Sequence, residues 1–309
     1  MKAHEKILIT GAGGLIGKSL VRYLSDLGEE IFALRSRADC DLTKPDEVAE
    51  LFRSVRPTKV YHLAAAVFGV GGNLAFPGDI FYRNTMMNTN VIEACRTSGV
   101  NKIVAMGSAA MYSDGLPQPM SEADVMVGEP HGSEYAYAQS KRAMLAQLKA
   151  YEQQFDLRYA FVIATNMYGP DDRFDPEFGH VVPSLLKKFL DAEASGDQVE
   201  IWGDGSPTRD FLYSKDAARG LSCIMSDGFG PLNLATGAAV PIRNLVSEIC
   251  KHFPSVRYDW NPHRPLGQLK RAYNTDRLNA LGFRPSYSLK QGIAETVEWL
   301  RINSRNLRG

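Results

Sequence analysis

Short apolar runs alternate along the chain with longer stretches whose apolar residues recur at helical spacing. Residues 6–10 form an apolar run, a glycine-rich turn follows, and 16–27 carry helical periodicity. Residues 30–34 read as a second strand and 46–55 as a helix that ends before Pro57. The alternation continues with a strand over 60–66, a helix over 85–98, a strand over 102–106, a helix over 136–155 and a strand over 159–165. Strands alternating with helices imply right-handed crossovers and a parallel sheet with helices on both faces. After Asn166 the character changes to loop-rich segments such as Tyr168-Gly169-Pro170 and Gly203-Asp204-Gly205-Ser206-Pro207, with a helix over 183–194 between them. Later helices over 216–226, 242–252 and 289–304 surround short strands. The predicted fold class is α/β. A Rossmann-type doubly wound parallel sheet occupies 1–166, with segments at about 210–240 returning to it. A smaller C-terminal α/β substrate domain takes up most of 167–309.

Composition narrows the function classes without choosing one. At 309 residues the chain can bury a sizeable core. Lys+Arg and Asp+Glu both number 35, so no net field argues for nucleic acid or an acidic membrane surface. No apolar run approaches the roughly 20 residues that a membrane helix needs. Cys40, Cys95, Cys223 and Cys250 lie far apart with no C-x-x-C pair, which argues against a zinc site. With no secretory signal read at the N-terminus, they are expected to be free thiols in a reducing compartment, and the protein to be cytoplasmic.

The turn Gly11-Ala12-Gly13-Gly14-Leu15-Ile16-Gly17 follows a strand and opens a helix. Gly11 permits the tight turn, Gly14 lets backbone approach a pyrophosphate, and Gly17 lets the helix pack on the strand. The helix N-terminus, entered through Leu15 and Ile16, presents free N–H groups and a favourable dipole to phosphates. The glycine spacing alone also fits an unoccupied turn, but the strand–turn–helix context favours a dinucleotide. At the end of the second strand an NAD site wants an acid, whereas an arginine suits a 2′-phosphate. The chain reads Leu34-Arg35-Ser36-Arg37, with no acid until Asp39, so NADP(H) is expected over NAD. Asp41-Leu42 and Leu63-Ala64-Ala65 are expected as adenine- and ribose-side walls.

Tyr137 and Lys141 stand four apart at the start of a helix, on one face. A free tyrosine, with a pKa near ~10, holds its proton too tightly for efficient acid–base work at neutral pH. An ammonium one turn away is expected to lower that pKa and to reach the ribose hydroxyls. Ser108, at the end of a strand, can donate a hydrogen bond to a substrate carbonyl. Together the three polarise a ketone and deliver a proton as hydride arrives. Tyr135 is a decoy, because the residue four beyond it is Gln139. His62 reads as a core histidine, and His131 as a loop residue near the pocket.

These residues, in this order, resemble the extended short-chain dehydrogenase/reductase superfamily and, within it, the GDP-L-fucose synthase family over nearly the full chain. The resemblance rests on the glycine turn, Leu63-Ala64-Ala65, Gly107-Ser108, Tyr137/Lys141, Thr165-Asn166-Met167-Tyr168-Gly169-Pro170, Gly179-His180-Val181-Val182-Pro183, Ile201-Trp202 and Arg209-Asp210-Phe211-Leu212. It implies an NADPH-dependent enzyme acting on a GDP-4-keto-6-deoxy sugar, epimerising C3 and C5 and then reducing C4. It also implies a homodimer built on the helix over 85–98 and the helix bearing Tyr137. By position, Asn166, Lys188, Trp202, Arg209 and Arg271 are implied as substrate contacts and His180 as an acid/base.

The chain departs from that family at two points, and one of them also bears on a related activity. The family's acid/base cysteine, two residues beyond the serine, is Ala110 here, and a methyl group cannot exchange a proton. Epimerisation is therefore expected to be impaired, which leaves a C4 reductase of a hexose or heptose substrate, with the bifunctional synthase as the alternative. Ala109-Ala110 likewise lacks the Asp-Glu pair of the superfamily's dehydratases. The turn arginine of some members is Gly13, leaving Arg35 and Arg37 for the 2′-phosphate. Two other readings compete. Arg35 counts against an NAD-retaining 4-epimerase, and the intact Tyr/Lys pair counts against a dinucleotide-sensing scaffold.

Overall fold

The computed structural model describes residues 5–67, 70–176, 179–264 and 269–304. Its central feature is a six-stranded sheet, paired in parallel throughout. The strands and helices of its first half are β1 (Lys6–Thr10), α1 (Leu15–Asp26), β2 (Glu30–Leu34), α2 (Pro45–Val55), β3 (Lys59–His62), α3 (Val70–Ala75), α4 (Pro77–Thr97), β4 (Lys102–Met106), α5 (Tyr135–Phe155) and β5 (Tyr159–Ala164). The remainder adds β6 (Asn166–Tyr168), α6 (Val181–Ser195), β7 (Val199–Trp202), β8 (Thr208–Tyr213), α7 (Ser214–Asp227), β9 (Gly230–Leu234), β10 (Ala239–Pro241), α8 (Ile242–Cys250), β11 (Tyr258–Asn261), α9 (Asp276–Ala280) and α10 (Leu289–Asn303). The sheet order is β2-β1-β3-β4-β5-β9. The chain leaves β1 towards β2 on one side and returns to β3 on the other, so a crevice opens beyond the carboxyl ends of β1 and β3.

Strand alternation sorts the core into two layers. Leu8, Val60, Ile103, Ala105, Phe161 and Ile163 face α2, α4 and α5, where Val48, Phe52, Val91, Ile92, Leu145 and Leu148 meet them. Ile7, Ile9, Tyr61, Val104, Ala160 and Val162 face the opposite side, against Leu20 and Leu24 of α1 and Ala217, Leu221 and Ile224 of α7. Both faces of the sheet are thus covered, the doubly wound arrangement that the sequence pattern predicts. A third cluster joins Leu186 and Phe189 of α6, Leu245, Val246 and Ile249 of α8, and Ile293, Val297 and Leu300 of α10. It accompanies a three-stranded sheet, β10-β8-β6, and a two-stranded pair, β11-β7. The stretch expected to return to the first sheet supplies its edge strand β9 and its covering helix α7.

Two predicted elements differ from those observed. The strand expected over 60–66 ends at His62. Leu63, Ala64 and Ala65 are apolar but line the crevice beyond the strand end, where the Leu63 N–H makes a last backbone bond to the Thr10 carbonyl, so hydrophobic composition there marks a cleft wall. The helix expected from residue 85 begins at Pro77, whose ring suits the first helical turn, with Asp79 favouring the positive end of the dipole.

The join between α1 and β1 is tight enough to exclude any side chain at Gly17. A Cβ there would stand 2.2 Å from the Gly11 carbonyl oxygen and 2.6 Å from the Ala12 Cα. On its other flank α1 holds the loop after β6 and the start of α7: Lys18 and Arg22 each contact the Asp171 carboxylate at 2.6 Å, and the Ser19 hydroxyl donates to the Ser214 carbonyl at 2.9 Å. Among the described residues no helix is long and apolar enough to cross a membrane. Because backbone cannot yield to a new methyl group as a side chain can, Gly17→Ala is expected to cost about 1–3 kcal/mol in a urea unfolding titration. An unchanged midpoint contradicts this packing.

Candidate active site

A cleft of about 880 Å³ opens beyond the switch point of the sheet. Its walls include Gly11, Gly14 and Leu15 from the turn, Arg35, Asp41 and Leu42 after β2, Leu63, Ala64 and Ala65 after β3, and His180 before α6. Ile16 and Gly17 stand behind the lining, Gly17 at the helix–strand join described above. Beneath the cleft floor His62 is fully buried between the Thr10 hydroxyl (2.8 Å) and the Asn88 carboxamide oxygen (3.0 Å). Burial, with the nearby Lys141 charge, pushes its pKa down to about 3, so it is a neutral bridge between β1 and α4.

The residues after β2 are fixed from two sides. A Cβ on Gly13 would lie 2.3 Å from the Arg35 carbonyl oxygen, so this backbone excludes the arginine that some relatives of the superfamily carry in the turn. On the other side one oxygen of Asp39 accepts from the backbone N–H groups of Arg35 and Ser36, both at 2.8 Å. Arg37, expected to share the 2′-phosphate, pairs with Asp41, its Nε at 2.9 Å and its Nη2 at 2.7 Å. Asp41 is itself held by the Thr43 hydroxyl at 2.7 Å, so the Arg37 pairing is part of a fixed network. Among the described residues the Arg35 guanidinium makes no salt bridge, and it lines the cleft.

At the far end of β4 the chain turns through Gly107 and Ser108. The Ser108 hydroxyl accepts from the Ala110 N–H at 3.1 Å and is near enough to the Tyr137 phenol to favour its ionised form. Ala109 and Ala110 are buried. Lys141 is 1% exposed; its ammonium donates to the Met106 carbonyl at 2.8 Å and lies 5.8 Å from the centroid of the Tyr137 ring. The three residues expected from the sequence are therefore adjacent in space. One expectation needs correcting: the Tyr137 phenol is shifted upward, not downward. Burial is the main cause and the Glu134 carboxylate adds to it, while the nearby Ser108 hydroxyl opposes the shift only partly. Burial also pushes Lys141 down to about 7, so the lysine is a weaker cation than its spacing alone implies.

The substrate-side candidates form two groups. The Lys188 ammonium lies 5.7 Å from the Trp202 ring centroid, and Arg264 lies 5.2 Å from the same ring, which is half-exposed. Arg209 and Arg271 are close enough for each to feel the other's charge. Asn166 donates its side-chain amide to the Asp210 carbonyl at 3.1 Å, which ties β6 to β8. The residue that sequence reasoning missed is Glu134. Its carboxylate stands 3.5 Å from Arg271, and its charge reaches Tyr137, His180 and Arg209. Its place three residues before Tyr137 was the only available signal. His180 is exposed in the cleft, and partial desolvation by the surrounding atoms holds it below the usual histidine range, offset in part by Glu134. His131 turns away: it is exposed, with its Nδ1 2.7 Å from the Ser133 hydroxyl.

A glycine-turned crevice at the switch point of a doubly wound sheet, beside a Ser–Tyr–Lys cluster, defines a dinucleotide-dependent class of enzyme. The chain belongs to the NAD dependent epimerase/dehydratase family, whose model matches residues 7–234. It is 34% identical to a putative GDP-L-fucose synthase 2 of Arabidopsis thaliana, over 98% of this chain and 94% of that protein. It is 32% identical to the GDP-L-fucose synthase of Escherichia coli K12, over 99% and 100%. Among solved structures it resembles a GDP-L-fucose synthetase from Naegleria fowleri bound to NADP, with a TM-score of 0.92 and 29% identity over 100% and 98% of the two chains. It also resembles a GDP-mannoheptose C4 reductase from Campylobacter jejuni with NADP bound, with a TM-score of 0.87 and 26% identity over 97% and 99%.

Burial of Lys141 has a measurable consequence. Its folded pKa lies below its unfolded value, so the unfolded state binds more protons between about pH 7 and the ordinary lysine range. Stability is therefore expected to rise with pH through that window. Replacing the ammonium removes its share of the slope, so Lys141→Met is expected to be the more stable protein at pH 7 and to gain less between pH 7 and 10. Thermal melts of both proteins without cofactor check this; parallel pH profiles contradict it.

Proposed function

We propose that the protein is an NADPH-dependent reductase of the C4 ketone of a GDP-4-keto-6-deoxy sugar, a hexose or heptose, without full C3/C5 epimerase activity. The observation that carries the reading is the Ser108 hydroxyl set beside the Tyr137 phenol and the buried Lys141, with Ala109 and Ala110 as the residues after the serine. The NADP bound to the Naegleria and Campylobacter structures, and the GDP sugars in the names of these relatives, support the cofactor and the substrate class.

The cleft fits such a dinucleotide. Gly11, Gly14 and Leu15 would hold its pyrophosphate at the start of α1, with Ile16 and Gly17 setting that turn from behind. Arg35 takes the 2′-phosphate, and Leu42, Leu63, Ala64 and Ala65 wall the adenosine, with Asp41 shaping that wall. When bound, NADPH supplies the hydride that reduces C4. Ser108 donates a hydrogen bond to the ketone oxygen. Tyr137, whose upward-shifted phenol is loaded with its proton at neutral pH, gives that proton to the same oxygen as it becomes an alkoxide. Lys141 holds the ribose hydroxyls and offsets the tyrosinate left behind. Arg209 and Arg271 suit the diphosphate, Lys188 and Trp202 the base or sugar, and Asn166 braces the loop beside them.

With Ala110 unable to exchange a proton, His180 orients the sugar or serves a single proton step. The runner-up is a bifunctional C3/C5 epimerase and C4 reductase, favoured by the presence of His180 and by the GDP-L-fucose synthase relatives. The same reading includes a homodimer through α4 and α5, and a cytoplasmic setting that suits four unpaired cysteines.

With GDP-4-keto-6-deoxy-mannose as substrate, the wild type is expected to oxidise NADPH stoichiometrically. Tyr137→Phe is expected to lose about 10²–10⁴-fold in kcat while retaining cofactor binding, because only the proton donor is removed. Absorbance of reduced nicotinamide reports both. Failure of the wild type to consume NADPH with any GDP-4-keto sugar, or full activity in Tyr137→Phe, refutes the assignment.

A further inference from the structure

Three observations meet at the end of β2. Gly13 leaves no room for a side chain against the Arg35 carbonyl, so the glycine turn supplies no cation to this corner of the cleft. Arg37 is engaged with Asp41, whereas Arg35, the arginine at the end of β2, lines the cleft and makes no salt bridge among the described residues. The backbone N–H groups of Arg35 and Ser36 converge at 2.8 Å on a single carboxylate oxygen, that of Asp39. Two converging amides beside an arginine form a cradle for an anion, and here the chain fills the cradle with its own.

Resting on the assignment of NADP(H) above, we infer that Asp39 is a specificity-determining residue: an internal anion that occupies the backbone donors a 2′-phosphate would use, and so narrows the preference for NADPH over NADH. A 2′-phosphate carries close to two negative charges at neutral pH. To reach Arg35 it must either displace the Asp39 carboxylate from both amides or bind beside it against like-charge repulsion. NADH, with a 2′-hydroxyl at this point, meets neither obstacle. The hydrogen bonds from Arg35 and Ser36 also keep the Asp39 carboxyl below its usual range, so the anion persists throughout the neutral region.

Asp39→Asn keeps an acceptor for the two amides and removes the charge, so the loop is retained while the repulsion is lost. Equilibrium titration of NADPH and NADH, followed by nicotinamide fluorescence, is expected to show NADPH binding about fivefold tighter in Asp39→Asn, from removal of a like charge near a phosphate. NADH affinity is expected to stay unchanged, and the NADPH gain to shrink in high salt as the charges are screened. Arg35→Ala is expected to weaken NADPH alone. An unmoved NADPH/NADH ratio, or weaker NADPH binding in Asp39→Asn with its melting temperature preserved, overturns the inference. Failure of the wild type to bind either dinucleotide overturns the cofactor reading itself, which separates the two failures.

Discussion

The site depends on a buried lysine that no carboxylate pairs with among the described residues. Lys141 is carried on the second turn of α5, and its ammonium reaches across to the last carbonyl of β4, that of Met106. That contact fixes the start of α5 against the strand end from which Ser108 emerges, so the serine hydroxyl and the Tyr137 phenol come close together. Taking an ammonium out of water is costly, and the cost appears as a pKa pushed down to about 7. A fold that needed only rigidity here would be better served by an apolar residue. Retention of the lysine points to chemistry that uses it when nucleotide and sugar are present.

The upward shift of Tyr137 fits the direction of that chemistry. A reductase needs an acid that holds its proton until negative charge develops on the ketone oxygen, and desolvation with Glu134 nearby holds the phenol in that state. In the proposed mechanism the ammonium beside the ring offsets the tyrosinate. Glu134 also faces Arg271 at 3.5 Å and influences Arg209, so Tyr137 and the Arg209/Arg271 pair share one carboxylate.

Local chemistry was legible in the chain wherever it is local in the fold. The bounds of β1, β2 and β4 follow from short apolar runs, and the glycine turn and Tyr137/Lys141 from spacing within one or two turns. The overlong third strand shows the limit of composition: Leu63–Ala65 are apolar because they wall a cleft, which hydrophobicity does not separate from pairing. The β10-β8-β6 sheet joins segments far apart in sequence, such as Asn166 with Phe211, and no periodicity reports that. Arg37 read as a phosphate ligand because its tie to Asp41 depends on how the loop closes. Asp39 was visible as the first acid after β2, but its hold on two backbone amides appears only once the loop is folded.

The central claim is that hydride and proton transfer at C4 are intact while proton exchange at the neighbouring carbons is not, because a buried methyl group stands at Ala110. The direct measurement supplies GDP-4-keto-6-deoxy-mannose and NADPH in D₂O and reads the product by NMR. The account predicts a C4 alcohol whose C3 and C5 positions keep their original hydrogen. A reduced product deuterated at both C3 and C5 would contradict it.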